Sequence, residues 1–220
     1  MHEVCHQVKY FTTLKKVYTY KQILNKNDFK ELFQDMLEKI EVHDKRYHWT
    51  LIERKDLPPG ENTIMAILAF KEKRYPDGSI NKHKVRLCSH GGQQTRGQDY
   101  LDTYTPVVTW ASILLLLVVA KIHNLDSKNI NFVLAFPQAD IPIPVYMELP
   151  VGVTSIDETD SNIRHYNLRL NKYIYGEKSN GHNWFEKRSL GLTDRHFVQS
   201  QVEKCLFYRD ICIILTYVYD

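Results

Sequence analysis

An apolar run closed by a proline constrains the fold of this chain more than any other stretch. Residues 130–136 combine aromatic and β-branched side chains, and Pro137 follows them directly. Such a run predicts a buried β-strand of about 5–7 residues. Pro142 and Pro144 forbid a regular continuation of that strand, so a second extended segment is expected to begin at Val145. The centre of the chain is therefore predicted to lie in a β-sheet.

Helical periodicity is clearest in residues 28–42. Apolar side chains recur there on one helix face, at Phe29, Leu32, Phe33, Met36, Leu37 and Ile40. Asp28 and Glu31 have the spacing of a capping box, which marks the start of a helix. A second, largely apolar helix is predicted at residues 112–123, and a third is predicted through Trp184.

A β-hairpin is predicted in the first half of the chain. Its strands are expected at residues 67–73 and 79–87, joined by a turn at Pro76-Asp77-Gly78. Further strands are predicted at residues 49–52, 166–170 and 211–218. A polar, acid-rich loop is predicted at residues 153–164.

Three cations are spaced by two residues on the returning strand of this hairpin. Lys82, Lys84 and Arg86 should therefore point to one face of the strand. Such a face can hold a triphosphate or a nucleic-acid backbone. The alternative is a solvated edge strand protected by its lysines, which physical considerations alone favour by roughly two to one.

Length and composition exclude few classes of protein. The 220 residues carry a net charge of +3, which is compatible with nucleic acid without demanding it. The four cysteines form no C-x-x-C pair, which indicates free thiols in a reducing compartment. No signal peptide is recognised, and the longest apolar run, residues 113–120, is far shorter than the ~20 residues of a membrane span. A cytoplasmic or nuclear protein is expected.

The central stretch resembles motif A of the reverse transcriptases of copia-type retrotransposons. That motif reads D-x-x-x-A-F or D-x-x-x-A-Y, followed by V-Y-M-x-x-P-x-G. The matching positions in this chain are Ala135, Phe136, Val145, Tyr146, Met147, Pro150 and Gly152. Asn131 stands where the family has its catalytic aspartate.

Further motifs of the same family follow in the expected order between about residue 19 and residue 220. The predicted hairpin resembles the family's fingers, and residues 91–100 resemble its G-x-x-Q-x-x-G-x-D-Y. Motif B, L-Y-G-L-K-Q-A-x-R-x-W, is matched at Tyr175, Gly176, Lys178 and Trp184. The chain departs from the family at Leu114 and His182, where arginine is usual, at Ser179, where glutamine is usual, and at Tyr219, where the first aspartate of Y-V-D-D is usual.

The resemblance also implies binding residues. The positions that match nucleotide-binding residues are Lys84, Arg86, Phe136 and Ser179. The positions that match nucleic-acid-binding residues are Lys71, Lys73 and Lys82. Without a working metal site, the residues themselves support only a core aromatic on a strand at Phe136. Ser179 or Asn180 is also predicted to cap the helix through Trp184.

The family's reaction uses two divalent cations, Mg²⁺ or Mn²⁺, about 3.5–4 Å apart. The aspartates that bridge them correspond to Asn131 and Tyr219, and Asp220 remains as a weak metal ligand. Asn131 keeps an oxygen without the negative charge, and Tyr219 replaces a short carboxylate with a ring. Losing one stabilising group of this kind typically costs about 3–4 kcal/mol of transition-state energy. Productive metal binding and polymerase activity are therefore not expected.

The resemblance implies an α+β fold with the fingers and partial palm of a right-hand polymerase. An antiparallel sheet with helices on one face is expected, with the thumb missing. Residues 1–26 are expected to be poorly defined, and residues 27–220 to form the fingers and palm, truncated at Y-V-D-D. The helix at residues 112–123 should lie under the palm sheet. The strand at residues 211–218 should expose an apolar edge that promotes aggregation.

Three functions are compatible with these expectations. The first is a decayed, inactive relative of enzymes that synthesise DNA from dNTPs on an RNA template with a DNA primer. The second is a non-catalytic nucleic-acid-binding module that keeps the basic hairpin. The third, which is least favoured, is an active enzyme that recruits Asp99, Asp102 or Asp140 as a substitute metal ligand.

Overall fold

Ten β-strands in three sheets and four α-helices form the part of the chain that this computed structural model describes, residues 17–153 and 165–217. The helices are α1 (Tyr20–Ile23), α2 (Phe29–Lys45), α3 (Trp110–Ile122) and α4 (Asn180–Thr193). The strands are β1 (Val17–Tyr18), β2 (Trp49–Glu53), β3 (Thr63–Ile64), β4 (Ala66–Arg74), β5 (Ile80–Ser89), β6 (Asp140–Glu148), β7 (Tyr166–Lys172), β8 (Val198–Gln199), β9 (Leu206–Arg209) and β10 (Cys212–Leu215). The expected α+β class is confirmed, although the β-structure is divided among three sheets.

The predicted hairpin is confirmed as the two long strands of the first sheet. β4 and β5 pair antiparallel, and β1 adds to β4, so the strand order is β1-β4-β5. In the turn between them, Gly78 has a φ of +88°, which glycine adopts without steric cost. The Asp77 carboxylate accepts the backbone N–H of Ser79 at 2.9 Å and fixes the turn.

The second sheet has four strands in the order β2-β7-β6-β3. β7 is antiparallel to both of its neighbours, and β3 is parallel to β6. The strands predicted at residues 49–52 and 166–170 are thereby confirmed. Pro142 and Pro144 lie inside β6, where the register with β7 shifts between Asp140 and Val145. The prolines therefore interrupt the pairing of β6 with β7. The predicted start of an extended segment at Val145 is too late, because β6 already begins at Asp140.

The main hydrophobic core joins helix α2 to both of these sheets. Its fully buried members include Leu32 and Met36 from α2, Phe70 and Leu87 from the hairpin, and Met147 from β6. The apolar stripe predicted for this helix is thus confirmed. The core also includes side chains from residues 17–26, which the sequence left in a poorly defined segment.

Helices α2 and α4 begin where the sequence predicts, but without the predicted side-chain caps. Asp28 precedes α2 and Ser179 precedes α4, and neither side chain bonds to the first turn of its helix. Asp28 instead lies 3.5 Å from the Lys26 ammonium. The Ser179 hydroxyl donates to the carbonyl of Asp102 at 2.6 Å. Partners outside the two helices, one nearby in sequence and one 77 residues away, therefore replace the caps.

The apolar run at residues 130–136 does not form the predicted buried strand. It lies in coil and turn, with a left-handed φ of +52° at Leu134, and leads into a short 3-10 helix, Phe136–Gln138. Ile130 is 77% exposed and Val133 is 73% exposed. A proline in the first turn of the 3-10 helix favours helical over extended backbone, and no neighbouring strand pairs with the run.

Helix α3 confirms the helix predicted at residues 112–123, but it does not lie under a sheet. None of its side chains is buried, and Leu114 and Leu115 are 58% and 64% exposed. Its first turn is tethered where the Ser112 hydroxyl donates to the Glu203 carboxylate at 2.9 Å. The expectation failed because an all-apolar helix carries no polar face to indicate which side packs.

The third sheet has the order β10-β9-β8 and contains part of the strand predicted at residues 211–218. β10 pairs with β9, and within the described chain its other edge is unpaired, as expected. Ile211 and Ile213 are exposed beside this edge. Residues 154–164, within the predicted loop, and residues 218–220, with Tyr219 and Asp220, lie outside the described residues.

The helices within the described ranges are all too short or too polar to cross a membrane. Cys88, Cys205 and Cys212 are free thiols, in agreement with the sequence prediction.

Candidate nucleic-acid interface

Five basic side chains share one face of the β4–β5 hairpin. The antiparallel register places Lys71 opposite Lys84 and Lys73 opposite Lys82, with Arg86 next along β5. Side chains alternate between the two faces of a strand, so all five lie on the face away from the hydrophobic core. We call these five residues the cation face. The register thus brings together the nucleotide-binding and nucleic-acid-binding cations that the resemblance implies.

The cation face has no acidic partner in the described part of the chain, where none of its residues forms an ion pair. Glu72, in the middle of β4, points to the opposite face, where it is buried and pairs with Lys26 and Arg74. Burial lowers the pKa of Lys84, and the charges of Arg86 and the three other lysines lower it further. Like charges directly opposite one another cost stability. A bound polyanion would relieve this repulsion.

An aromatic pair connects the cation face to the 3-10 helix after the apolar run. The Arg86 guanidinium lies 5.9 Å from the ring centre of Tyr175, and Tyr175 meets Phe136 edge-to-face at 5.1 Å between ring centres. Phe136 is buried in a cluster with Tyr173 and Trp184. Phe136 is therefore a core aromatic in this structure, and its role at a nucleotide stays a prediction.

Close backbone packing joins the base of the hairpin to the segment before α4. A Cβ atom on Gly91 would lie 2.1 Å from the carbonyl oxygen of Gly176. The Gln94 side-chain oxygen accepts the backbone N–H of Lys178 at 2.8 Å, and the Lys178 ammonium lies 5.0 Å from the ring centre of Tyr100. Gln94 and Lys178 are 84 residues apart in the sequence, so this bond joins the motif at residues 91–100 to motif B. Sequence reasoning found both motifs but not their contact.

A cavity of about 120 Å³ opens beside the start of α4. Its walls come from the loop at residues 99–102, from Pro142 and Ile143 of β6, and from the first turn of α4. Ser179 and His182 contribute to this wall, and both bond to backbone carbonyls, of Asp102 at 2.6 Å and of Tyr104 at 2.7 Å respectively. The Ser179 hydroxyl proton is therefore occupied, and a nucleotide contact by Ser179 stays a prediction.

Sequence reasoning missed a buried carboxyl group in the same region. Glu177 is 3% exposed, and one of its oxygens accepts the backbone N–H of Ile174 at 2.6 Å. Its other oxygen has no hydrogen-bond partner in the described chain. Burial raises the pKa of Glu177 to about 8, so the group is mostly neutral at pH 7. The sequence did contain a sign of this group, because Glu177 stands where motif B of the family has an apolar leucine.

The described residues do not fit a centre for two divalent cations. Asn131 lies exposed in coil and supplies one neutral oxygen. No group of three His, Cys, Asp or Glu side chains in residues 17–153 and 165–217 is placed to hold a metal ion. Such cations require several oxygen ligands, mostly anionic, so no catalytic step through a metal is derived for this part of the chain.

Two of the three carboxylates considered as substitute ligands have other partners, and the third, Asp102, lies exposed outside the helices and strands. Asp140 pairs with the ammonium groups of Lys172 and Lys187. Asp99 accepts the backbone N–H of Thr95 at 2.6 Å. These contacts occupy Asp140 at the start of β6 and Asp99 in its loop, so they leave Asp102 alone, and one carboxylate is too few to hold two divalent cations.

Comparison with known proteins identifies the family. A family model described as reverse transcriptase (RNA-dependent DNA polymerase) matches residues 47–220. The chain belongs to this reverse transcriptase family. The match includes the hairpin, the glycine contact and α4, so the cation face is part of a reverse transcriptase domain.

Curated relatives include Pol polyproteins of plant transposons, which confirms the copia-type resemblance. The Retrovirus-related Pol polyprotein from transposon TNT 1-94 of Nicotiana tabacum is 26% identical over 91% of this chain and 15% of that protein. Those from transposons RE2 and RE1 of Arabidopsis thaliana are 31% and 33% identical, over 85% and 74% of this chain. They are matched over 13% and 11% of their own length, so this chain spans a small part of such polyproteins. No solved structure matches the chain.

Proposed function

We propose that this reverse transcriptase domain does not catalyse DNA synthesis. The observation that supports the proposal is Asn131, which stands at the motif A aspartate position in an exposed segment without a strand partner. A neutral amide is a poor substitute for an anionic ligand of Mg²⁺. Together with Tyr219 at the first aspartate of Y-V-D-D, it removes both principal bridging carboxylates of the family's centre. The loss of either one would cost about 3–4 kcal/mol of transition-state stabilisation.

Primer extension on an RNA template with a DNA primer tests this proposal. The chain is compared with the double variant Asn131→Asp, Tyr219→Asp, with Mg²⁺ and with Mn²⁺. We expect no incorporation of dNTPs by the unaltered chain. Incorporation above the background of a heat-denatured sample would overturn the proposal. Recovery of incorporation in the double variant would locate the loss at these two positions.

A second function, nucleic-acid binding without catalysis, is favoured by the cation face. Five cations lie on one solvent-facing surface, and none has an acidic partner in the described part of the chain. Such a surface complements the regularly spaced negative charges of the phosphates in a nucleic-acid backbone. Binding of this kind needs no metal centre, so it is compatible with the loss of the motif A aspartate. We therefore propose that the domain binds nucleic acid through the cation face.

Fluorescence anisotropy with a labelled 20-nucleotide RNA, measured between 50 and 200 mM salt, tests this second proposal. The triple variant Lys82→Ala, Lys84→Ala, Arg86→Ala should bind more weakly, with a salt slope lower by about 2, because each phosphate contact contributes ~0.7 for a single strand. The matched control replaces three lysines that already pair with carboxylates, Lys45, Lys55 and Lys187. Equal weakening in both triple variants, or no binding by the unaltered chain at 50 mM salt, would overturn the proposal.

A further inference from the structure

The third sheet has one edge that is open to a further strand. The order β10-β9-β8 leaves β10 outermost, and in residues 17–153 and 165–217 no strand pairs with its second edge. The amide of Thr216 donates to the carbonyl of Cys205 at 2.9 Å, and bonded positions alternate along an antiparallel pair. The even-numbered residues of β10 therefore bond to β9, whereas the N–H and C=O of Ile213 point away from it. Such groups are a template for another strand.

The open edge of β10 lacks the features that keep edge strands from pairing. Its four residues, Cys212–Leu215, include no charged residue and no proline. The edge strand β5 of the first sheet, by contrast, carries Lys82, Lys84 and Arg86. Two copies paired along β5 would place like charges opposite one another, which costs stability. Two copies paired along β10 would meet without that cost.

Apolar side chains are exposed on the outer face of the same sheet. The register places Val198, Tyr208 and Ile213 in one row across the three strands, because directly opposite side chains share a face. All three are exposed, by 53%, 45% and 37% respectively. Water therefore covers an apolar row that ends at the open edge.

Helix α3 adds to this apolar surface. It lies beside the third sheet, because Ile113 of α3 and Leu215 of β10 pack against one buried cluster. The exposed apolar side chains of α3 are Trp110, Leu114, Leu115, Leu117, Val118 and Ile122. Together with the row on the sheet, their exposed area is on the order of the ~800 Å² that each partner buries in a stable interface. The surface is large enough for a dimer.

We propose that a second copy of this chain docks at the open edge of β10, so that two third sheets join into one antiparallel sheet of six strands. A two-fold axis perpendicular to the sheet keeps the same face of both copies outward, so it passes between two identical residues. The axis lies at Ile213, because Cys212 and Ile213 are exposed whereas Ile214 and Leu215 are half-buried. Ile213 then exchanges two backbone hydrogen bonds with its own counterpart.

Cysteine cross-linking tests this register. With the axis at Ile213, Cys212 lies opposite Ile214 of the second copy with Cα atoms ~4.5 Å apart, a distance that a disulfide spans. In Ile214→Cys, oxidation of the two thiols by oxygen with copper-phenanthroline should therefore give a covalent dimer on a non-reducing gel. Adding Cys212→Ser should abolish it. The matched control is Val202→Cys, in the loop between β8 and β9, where the residue is 98% exposed and no additional covalent dimer is expected.

Sedimentation velocity tests the dimer itself. Ile213→Lys would place two ammonium groups opposite one another at the axis, so the dissociation constant should rise at least about tenfold. Val202→Lys adds the same charge outside the interface and should leave the dissociation constant unchanged. A monomeric unaltered chain at millimolar concentration, or equal dissociation constants for the two lysine variants, would overturn the proposal. A covalent dimer that persists after Cys212→Ser would overturn the register centred on Ile213. Both measurements use the protein alone, so neither depends on the proposed nucleic-acid binding.

Discussion

Three buried ionisable side chains should make this domain less stable at both acidic and alkaline pH. Burial raises the pKa of Glu177 to about 8. Burial also lowers the pKa of His43 to about 3 and that of His48 to about 4, and nearby Lys39 and Arg46 lower both further. The two imidazoles are linked through their Nδ1 atoms at 2.9 Å, so one neutral ring carries its proton on Nδ1 and donates it, while Nδ1 of the other ring accepts.

We predict that the free energy of unfolding is highest near pH 6.5. Below this value the unfolded histidines, with a pKa of 6.5, bind protons that the folded rings do not, so stability falls with pH. Above it the unfolded Glu177 is ionised while the folded carboxyl keeps its proton, so stability falls until the pH reaches about 8. Because the two contributions partly cancel on each side of the maximum, the net loss should be only about 1 kcal/mol at both pH 5 and pH 8. Urea unfolding across this range measures it.

The matched variants for this prediction are Glu177→Gln and Glu186→Gln. Glutamine at position 177 can still accept the N–H of Ile174 but does not titrate, so the loss of stability between pH 6.5 and 8 should disappear. Glu186 is exposed on α4, and its replacement should leave the profile unchanged. An unchanged alkaline limb in Glu177→Gln would contradict the assignment of this limb to Glu177.

Helix α3 is the element whose packing differs most from expectation. Apolar side chains cover nearly all of its surface, yet none of its thirteen residues is buried. Its first turn is held by the hydrogen bond from Ser112 to Glu203. The family resemblance has arginine where this chain has Leu114, which is 58% exposed. Apolar patches of this kind on a free surface promote association.

We predict that Leu114→Arg reduces self-association without destabilising the fold. An exposed leucine contributes little burial energy, so the melting temperature should change by no more than about 2 °C. Sedimentation velocity should show a larger monomer fraction, and binding of the dye ANS should fall. Leu32→Arg in α2, at a fully buried position, is the contrasting variant and should unfold the domain. A destabilisation by Leu114→Arg as large as that of Leu32→Arg would show that α3 is buried in solution.

At the scale of the whole molecule, the position of the hairpin relative to the segment before α4 depends on a close backbone contact. Neither glycine has room for a Cβ atom, because at Gly91 it would meet the carbonyl oxygen of Gly176 at 2.1 Å and at Gly176 that of Ser89 at 2.3 Å. Gly176 also has a φ of +95°, which side chains other than glycine rarely adopt. This contact holds the cation face in a fixed position relative to Tyr175, Phe136 and the cavity beside α4.

We predict opposite effects for alanine at two glycines. Gly91→Ala should lower the free energy of unfolding by about 1–3 kcal/mol or more, because the new methyl group would overlap a backbone oxygen that cannot move aside. Gly191→Ala, inside α4 and with its nearest neighbour at 3.7 Å, should raise it by about 1 kcal/mol through helix propensity. Chemical denaturation of both variants measures the difference. Equal stability of Gly91→Ala and the unaltered chain would show that the contact opens readily.

The sequence alone predicted the elements whose periodicity is local. The stripe of α2 and the alternation of β4 and β5 depend on spacing within one segment, so their existence and the common face of Lys82, Lys84 and Arg86 were correct. The family was also predictable, because several ordered motifs survive individual substitutions. The departure at Asn131 is visible in the sequence without any coordinates.

Only the tertiary structure decided which apolar segments find a partner and which charges are buried. Residues 130–133 and α3 have core-like composition, yet Ile130, Val133 and the leucines of α3 remain largely exposed, because burial requires a neighbouring surface that no local pattern specifies. Glu177 is buried beside the close approach of Gly91 and Gly176, which lie in motifs far apart in the sequence. The sequence determined the local elements and the ancestry of this domain, and long-range packing determined the surroundings of its charged groups.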